Sequence, residues 1–257
     1  MDKIIKSSFI GSLLITSLYL VLFYPLILIN RFDWYDLLLV MLSISPGIFI
    51  MIFIYNLDEH NKEPLWLLAI SFILGAINLH FDVDILDYAF SFINVENNFI
   101  RIGEEALTVA ITEELLKFIV VILILYPNKY FDEPFDGIVY SVFVGMGFAT
   151  AENLTYVLQG GTSLAFFRMV TAVPAHFVFA VIMGYYLGIA KSKRKYQIFY
   201  ICLSLIIPIF FHALYDYFLF MNIIPGMFIG GFVTLFIAFV FAKKAIVEHL
   251  ESSPFQK

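Results

Sequence analysis

Eight apolar runs, most of about 20 residues, leave this chain few ways to fold: 7–29, 35–55, 65–80, 105–126, 135–158, 164–189, 197–220 and 224–247. A hydrocarbon core of about 30 Å takes roughly 20 helical residues to cross, and a helix satisfies its own backbone polar groups where no water can. Only 14% of the side chains are charged, against about 25% in a soluble domain, so the surface between these runs has to face lipid. The expected fold is all-α, a polytopic transmembrane bundle of about eight helices forming a single domain over 1–257, with the bilayer as its first partner and no basic patch for nucleic acid. The third run is the shortest and ends on Asn78 and His80. The acidic stretch 81–104 reads as an interfacial helix. The first run follows Lys3 and Lys6 and has no small-x-small cleavage site, so it reads as a retained span. The single cysteine, Cys202, allows no disulfide framework and no multi-cysteine metal site.

Lysine and arginine fix the expected orientation, because cytoplasmic loops retain positive charge. With eight spans, one side holds Lys3, Lys6, Lys62, Lys129, Lys191, Lys193, Arg194, Lys195, Lys243, Lys244 and Lys257, and the other only Arg31, Arg101 and Arg168. Both termini are therefore expected in the cytoplasm.

Ionisable residues inside such runs each cost about 2.5–3.5 kcal/mol on insertion scales, so they mark function or structural pairing. The fourth run carries Glu113, Glu114 and Lys117. Glu113 and Lys117 share a face at i, i+4 and are expected to pair, leaving Glu114 free about 100° away. The fifth run has Phe148 and Glu152, the sixth Pro174 and His176, and the seventh His212 and Asp216 at i, i+4. Counted from the outer ends of their spans, these groups fall roughly 6–18 Å deep, in one layer of the extracytoplasmic half. One isolated pair reads as a structural bridge; four helices bringing acids and imidazoles to one depth read as a site.

Carboxylates that activate water and imidazoles that donate to an oxyanion suit peptide hydrolysis. Other intramembrane solutions do not match. No H-E-x-x-H helix occurs, Gly161-Thr162-Ser163-Leu164 lacks the second glycine of a rhomboid serine motif, and Gly145-Met146-Gly147-Phe148 has Phe where a presenilin-type signature needs aspartate. A Zn²⁺ site built from His176, His212, Asp216 and Glu114 is an alternative with the same residues. A proton-coupled carrier is another, although the inverted repeats common in carriers are not visible. A non-catalytic scaffold is the third.

Six elements in order carry a family resemblance: Glu63-Pro64 closing the stretch from Tyr55, Glu113-Glu114-x-x-Lys117, Phe131-Asp132-Glu133-Pro134-Phe135-Asp136-Gly137 running to Tyr140, Phe148-x-x-x-Glu152-Asn153, Pro174-x-His176 with Gly184-Tyr185, and His212-x-x-x-Asp216. Together they resemble the PrsW family of bacterial intramembrane peptidases, related to the prenyl-protein (CAAX) endopeptidases. The resemblance implies a multi-pass protein of the bacterial cell membrane with its catalytic core at about 105–220. It implies cleavage of membrane-embedded or membrane-proximal proteins, in some members anti-sigma factors, with Glu113, Glu114 and His176 essential. On this reading Glu113 is the base, His176 shares its water, His212 donates to the oxyanion with Asp216 as its orienter, and Glu152 positions water; no cofactor is required, with Zn²⁺ as the alternative. Asp132 and Asp136 read instead as helix-start residues, and so does Glu63-Pro64.

Overall fold

The computed structural model describes residues 34–59, 61–79, 97–221 and 224–255, and every regular element among them is helical. The helices are α1 (Trp34–Leu57), α2 (Leu65–Asn78), α3 (Asn98–Val120, extended by a π-turn over Val121–Leu125), α4 (Pro134–Val170), α5 (Ala172–Ser192), α6 (Gln197–Phe220) and α7 (Phe228–Glu251). Among the described residues, five stretches are long and apolar enough to cross a membrane: Trp34–Leu57, Pro134–Leu158, Gly160–Ser192, Arg194–Phe220 and Phe228–Glu251. The expected run 7–29, and residues 81–96 of the stretch expected as an interfacial helix, lie outside the described residues.

Three expectations change. Residues 98–104 are not part of a separate interfacial helix but the first turns of α3, whose start is set at Asn97, where the side chain accepts the Phe99 N–H at 2.9 Å. The third run contracts to the 14 residues of α2, about 21 Å at 1.5 Å per residue. The sixth run is not one helix. It breaks at Thr171 (φ −122°, ψ −68°), and its first part continues α4 beyond a kink at Gly161 (φ 73°, ψ −166°). That conformation is essentially restricted to glycine, and Pro174, which lacks an N–H, fits the first turn of α5, where no intrahelical donor is required. Apolar periodicity registers neither interruption.

The first arm of α4, Pro134–Leu158, is the central element, with 83% of its apolar window buried. It packs against α1 and α2 on one side and α5 on the other, while α3 lies along α6 and α6 along α5. Backbones meet at small residues: a methyl group on Gly147 would strike Phe72 O of α2, and one on Gly184 of α5 would strike Gly137 O of α4. Such contacts let dispersion and polar side chains hold helices together in lipid, where burial against tails gives no driving force.

At its start α4 has a capping box between Glu133 and Asp136. Asp136 Oδ2 accepts the N–H groups of Asp132 and Glu133 at 2.7 and 2.8 Å, the helix-start role read from the sequence. Pro64 likewise precedes α2 as its N-cap residue. Glu63 goes further: it is buried and accepts the Tyr140 hydroxyl from α4. Burial pushes its carboxyl up to about 7 despite that bond.

Candidate active site

Within α3, Lys117 joins the two glutamates instead of leaving one free. Its Nζ lies 3.3 Å from Glu113 Oε2 and 2.8 Å from Glu114 Oε1. The expectation of an unpaired Glu114 fails because a lysine reaches both i−3 and i−4 partners from its own face. Glu114 is the more enclosed, its side chain 0% exposed against 15% for Glu113. The ammonium also sits 3.1 Å from His176 Nδ1 and over the Phe148 ring at 4.2 Å. Phe148 thus places the charge beneath an aromatic face rather than taking part in a second acid motif.

His176 enters from α5, one helical turn below the break at Thr171. A lysine donor at Nδ1 makes that nitrogen the acceptor, so Nε2–H donates to Glu152 Oε2 of α4 at 2.9 Å. Glu113 Oε2 is 4.0 Å from His176 Nδ1, and the Lys117 ammonium donates to both. The same Glu152 oxygen pairs with Arg168 Nη2 at 2.9 Å, and Arg168 Nε donates to Asn153 Oδ1 at 2.9 Å. Arg168 counted only as an outer-side charge in the sequence; the Gly160-Gly161 pair before it was the available sign that this part of the run turns back toward the site.

From α6, His212 stands between two carboxylates, with Nδ1 2.9 Å from Glu114 Oε1 and Nε2 3.2 Å from Asp216 Oδ2. Its ring stacks on Phe179 at 4.9 Å and meets His176 edge to face at 5.6 Å. Orientation of this imidazole therefore comes from buried Glu114 as well as from Asp216. Glu113, Glu114, Glu152, His176, His212 and Asp216 thus meet across four helices. A pocket of about 170 Å³ opens beside them, lined by Glu113, Glu152, His176, His212 and Asp216, with Phe167, Phe179 and Leu219 among its apolar walls.

Four carboxylates face two fixed cations, Lys117 and Arg168, and His212, held between two carboxylates, donates from both nitrogens as an imidazolium, so the cluster carries one uncompensated negative charge. A cation suits that excess, and carboxylate oxygens with imidazole nitrogens are ordinary zinc donors. Among the described residues, ligand atoms come within 4.8 Å of one another in two triplets, Glu113–Glu152–His176 and Glu113–Glu114–His212. The four-residue set of His176, His212, Asp216 and Glu114 is not one of them, because Asp216 is held at the far nitrogen of His212.

A family model described as PrsW family intramembrane metalloprotease matches residues 63–243. Protease PrsW of Geobacillus kaustophilus is 35% identical over 195 residues, covering 76% of this chain and 85% of the relative. Protease PrsW of Bacillus subtilis is 36% identical over 178 residues, covering 69% and 80%. Protease PrsW of Clostridioides difficile is 34% identical over 191 residues, covering 70% and 79%. No solved structure matches.

Proposed function

Because the chain belongs to the PrsW family of intramembrane proteases, we propose that it hydrolyses peptide bonds of membrane-embedded or membrane-proximal proteins, anti-sigma factors among them, with Glu113 as the base. One observation carries the assignment: of the adjacent glutamates, Glu113 lines the pocket while Glu114 is sealed beneath Lys117 and His212. Water in the pocket beside Glu113 gives its proton to Glu113 as its oxygen attacks the substrate carbonyl, while His176 Nδ1 and Glu113 together hold the Lys117 ammonium. His212 Nε2–H turns from Asp216 to the oxygen that gains charge, while Nδ1 stays fixed by Glu114. Collapse of the tetrahedral adduct breaks the C–N bond, and the Glu113 carboxyl returns its proton to the departing amine.

The donor set also fits a metal. Glu113, Glu152 and His176 would hold Zn²⁺, which when bound polarises a carbonyl and acidifies water. We place the site in the extracytoplasmic half of a bacterial cell membrane, with eight spans, both termini cytoplasmic and a single domain whose catalytic core is at about 105–220, in keeping with the lysine and arginine distribution.

Membrane proteomes of cells carrying the wild-type chain or Glu113→Gln test the reading. A membrane protein that accumulates uncut only with the variant, and is cut by purified wild-type protein, is the expected result. Equal cleavage by Glu113→Gln would refute the base assignment, and identical proteomes with no cleavage in vitro would refute the protease reading.

A further inference from the structure

Residues 162–170 form a short helical arm bounded by two backbone interruptions, Gly161 with its positive φ and Thr171 outside helical geometry. Leu164, Phe167 and Arg168 of this arm line the pocket, yet Ala165 is its one fully buried residue. Ala165 packs in a small cluster with Leu39 and Val157. At the near end, Thr162 N–H donates to Tyr35 Oη of α1 at 3.3 Å. Little apolar area therefore fixes the arm, and elements with few buried contacts lie at the low end of local stability.

Its principal polar tie is Arg168. The guanidinium lies over the Tyr156 ring at 4.3 Å, donates through Nε to Asn153 Oδ1 and pairs through Nη2 with Glu152 Oε2. Asn153 is itself anchored, donating through Nδ2 to Ser43 O of α1 at 3.3 Å. The Glu152 oxygen that meets Arg168 is also the one that accepts from His176 Nε2. One carboxylate oxygen thus connects the arm over the pocket to the imidazole inside it.

We propose that Arg168 is a positioning residue, latching the 162–170 arm over the pocket and holding Glu152 where it orients His176, so that lifting the arm for a substrate and re-forming the catalytic arrangement are one event. Arginine suits the task because its planar fork engages Asn153 and Glu152 together from two nitrogens in fixed relation, which a lysine ammonium cannot reproduce. The latch stands on the geometry alone; its consequence for turnover rests on the protease reading above.

The test compares full-length wild-type protein in lipid nanodiscs with Arg168→Gln and Arg168→Lys, by hydrogen–deuterium exchange and by steady-state cleavage of the substrate found with Glu113→Gln. Arg168→Gln should speed amide exchange in 162–170 by about tenfold or more, leaving 134–158 and 172–192 protected. It should lower kcat by about 10²-fold with KM changed less than about threefold, and Arg168→Lys should recover part of both losses. Unchanged exchange in the arm would overturn the latch. Faster exchange throughout the bundle, or full recovery of both losses by lysine, would reduce Arg168 to a general structural or charge role and overturn the proposal. If wild-type protein cuts nothing, the protease reading fails, while the exchange comparison still decides the latch.

Discussion

Glu114 Oε1 lies 2.9 Å from His212 Nδ1, joining α3 to α6 beneath the pocket, and the same oxygen accepts from Lys117 at 2.8 Å. Truncating one member of such a buried network strands the others in a low-dielectric interior, a cost of about 3–5 kcal/mol. Glu114→Ala is therefore expected to destabilise the fold by about that amount, as well as abolish cleavage. Thermal unfolding in detergent, with and without the substitution, checks it; an unchanged midpoint contradicts the network.

Glu113→Gln should behave differently. Glu113 keeps 15% of its side chain exposed to the pocket, and glutamine retains its shape and an acceptor for Lys117. Cleavage should fall by about 10²–10⁴-fold, the usual contribution of a general base, with the unfolding midpoint near that of wild type.

The Glu63 carboxyl predicts a pH dependence away from the site. Burial raises it from its ordinary 4.5 to about 7, so the folded state binds this proton more tightly than the unfolded chain. Its contribution to stability is then fully present below about pH 4.5 and lost as pH rises through about 7. Glu63→Gln, which keeps an acceptor for Tyr140, should flatten that part of the stability profile and raise stability above pH 7. Unfolding measured from pH 4.5 to 8 decides it; an unaltered slope would clear Glu63 of the effect.

Gly184→Ala should weaken the α4–α5 crossing, since the added methyl meets Gly137 O and Ile138 Cα rather than a movable side chain end. Forcing the backbones apart costs about 1–3 kcal/mol or more. Glu152 and His176 sit on those two helices, so cleavage should fall together with the midpoint.

Zinc analysis of purified protein separates the two forms of the mechanism. If the Glu113–Glu152–His176 triplet holds the ion, wild-type protein should retain it stoichiometrically, and Glu152→Ala should lose most of it whether or not a substrate is at hand. Retention by the variant would remove that triplet as the ligand set.

Much of this arrangement could be read from residue order because charge inside an apolar run is costly and therefore conspicuous. Glu113, Glu114, Glu152, His176, His212 and Asp216 stand out in that way, and their depths along the runs place them in one layer. What could not be read depended on directions rather than types. Lys117 turns to both glutamates and to His176; helical spacing offers the i−3 and i−4 partners without saying that both are taken, and offers nothing of His176 on another helix. Arg168 sits near the edge of an apolar run and looks like an interfacial charge until the turn at Gly161 carries it back over Glu152. The short α2 and the early start of α3 escaped because hydropathy marks lipid-compatible residues, not the caps at which helices begin and end.

The dimensions of the pocket restrict what can be cut. Its roughly 170 Å³ is room for a cluster of waters, whereas an intact α-helix with side chains is about 10–12 Å across. With the 162–170 arm down, a scissile bond still wound into a helix does not fit past Phe167 and Phe179 to Glu113. A locally extended segment asks least of the arm, so glycine, proline or a helix terminus beside the cut, rather than a particular side chain at it, is the feature expected to separate good substrates from poor ones.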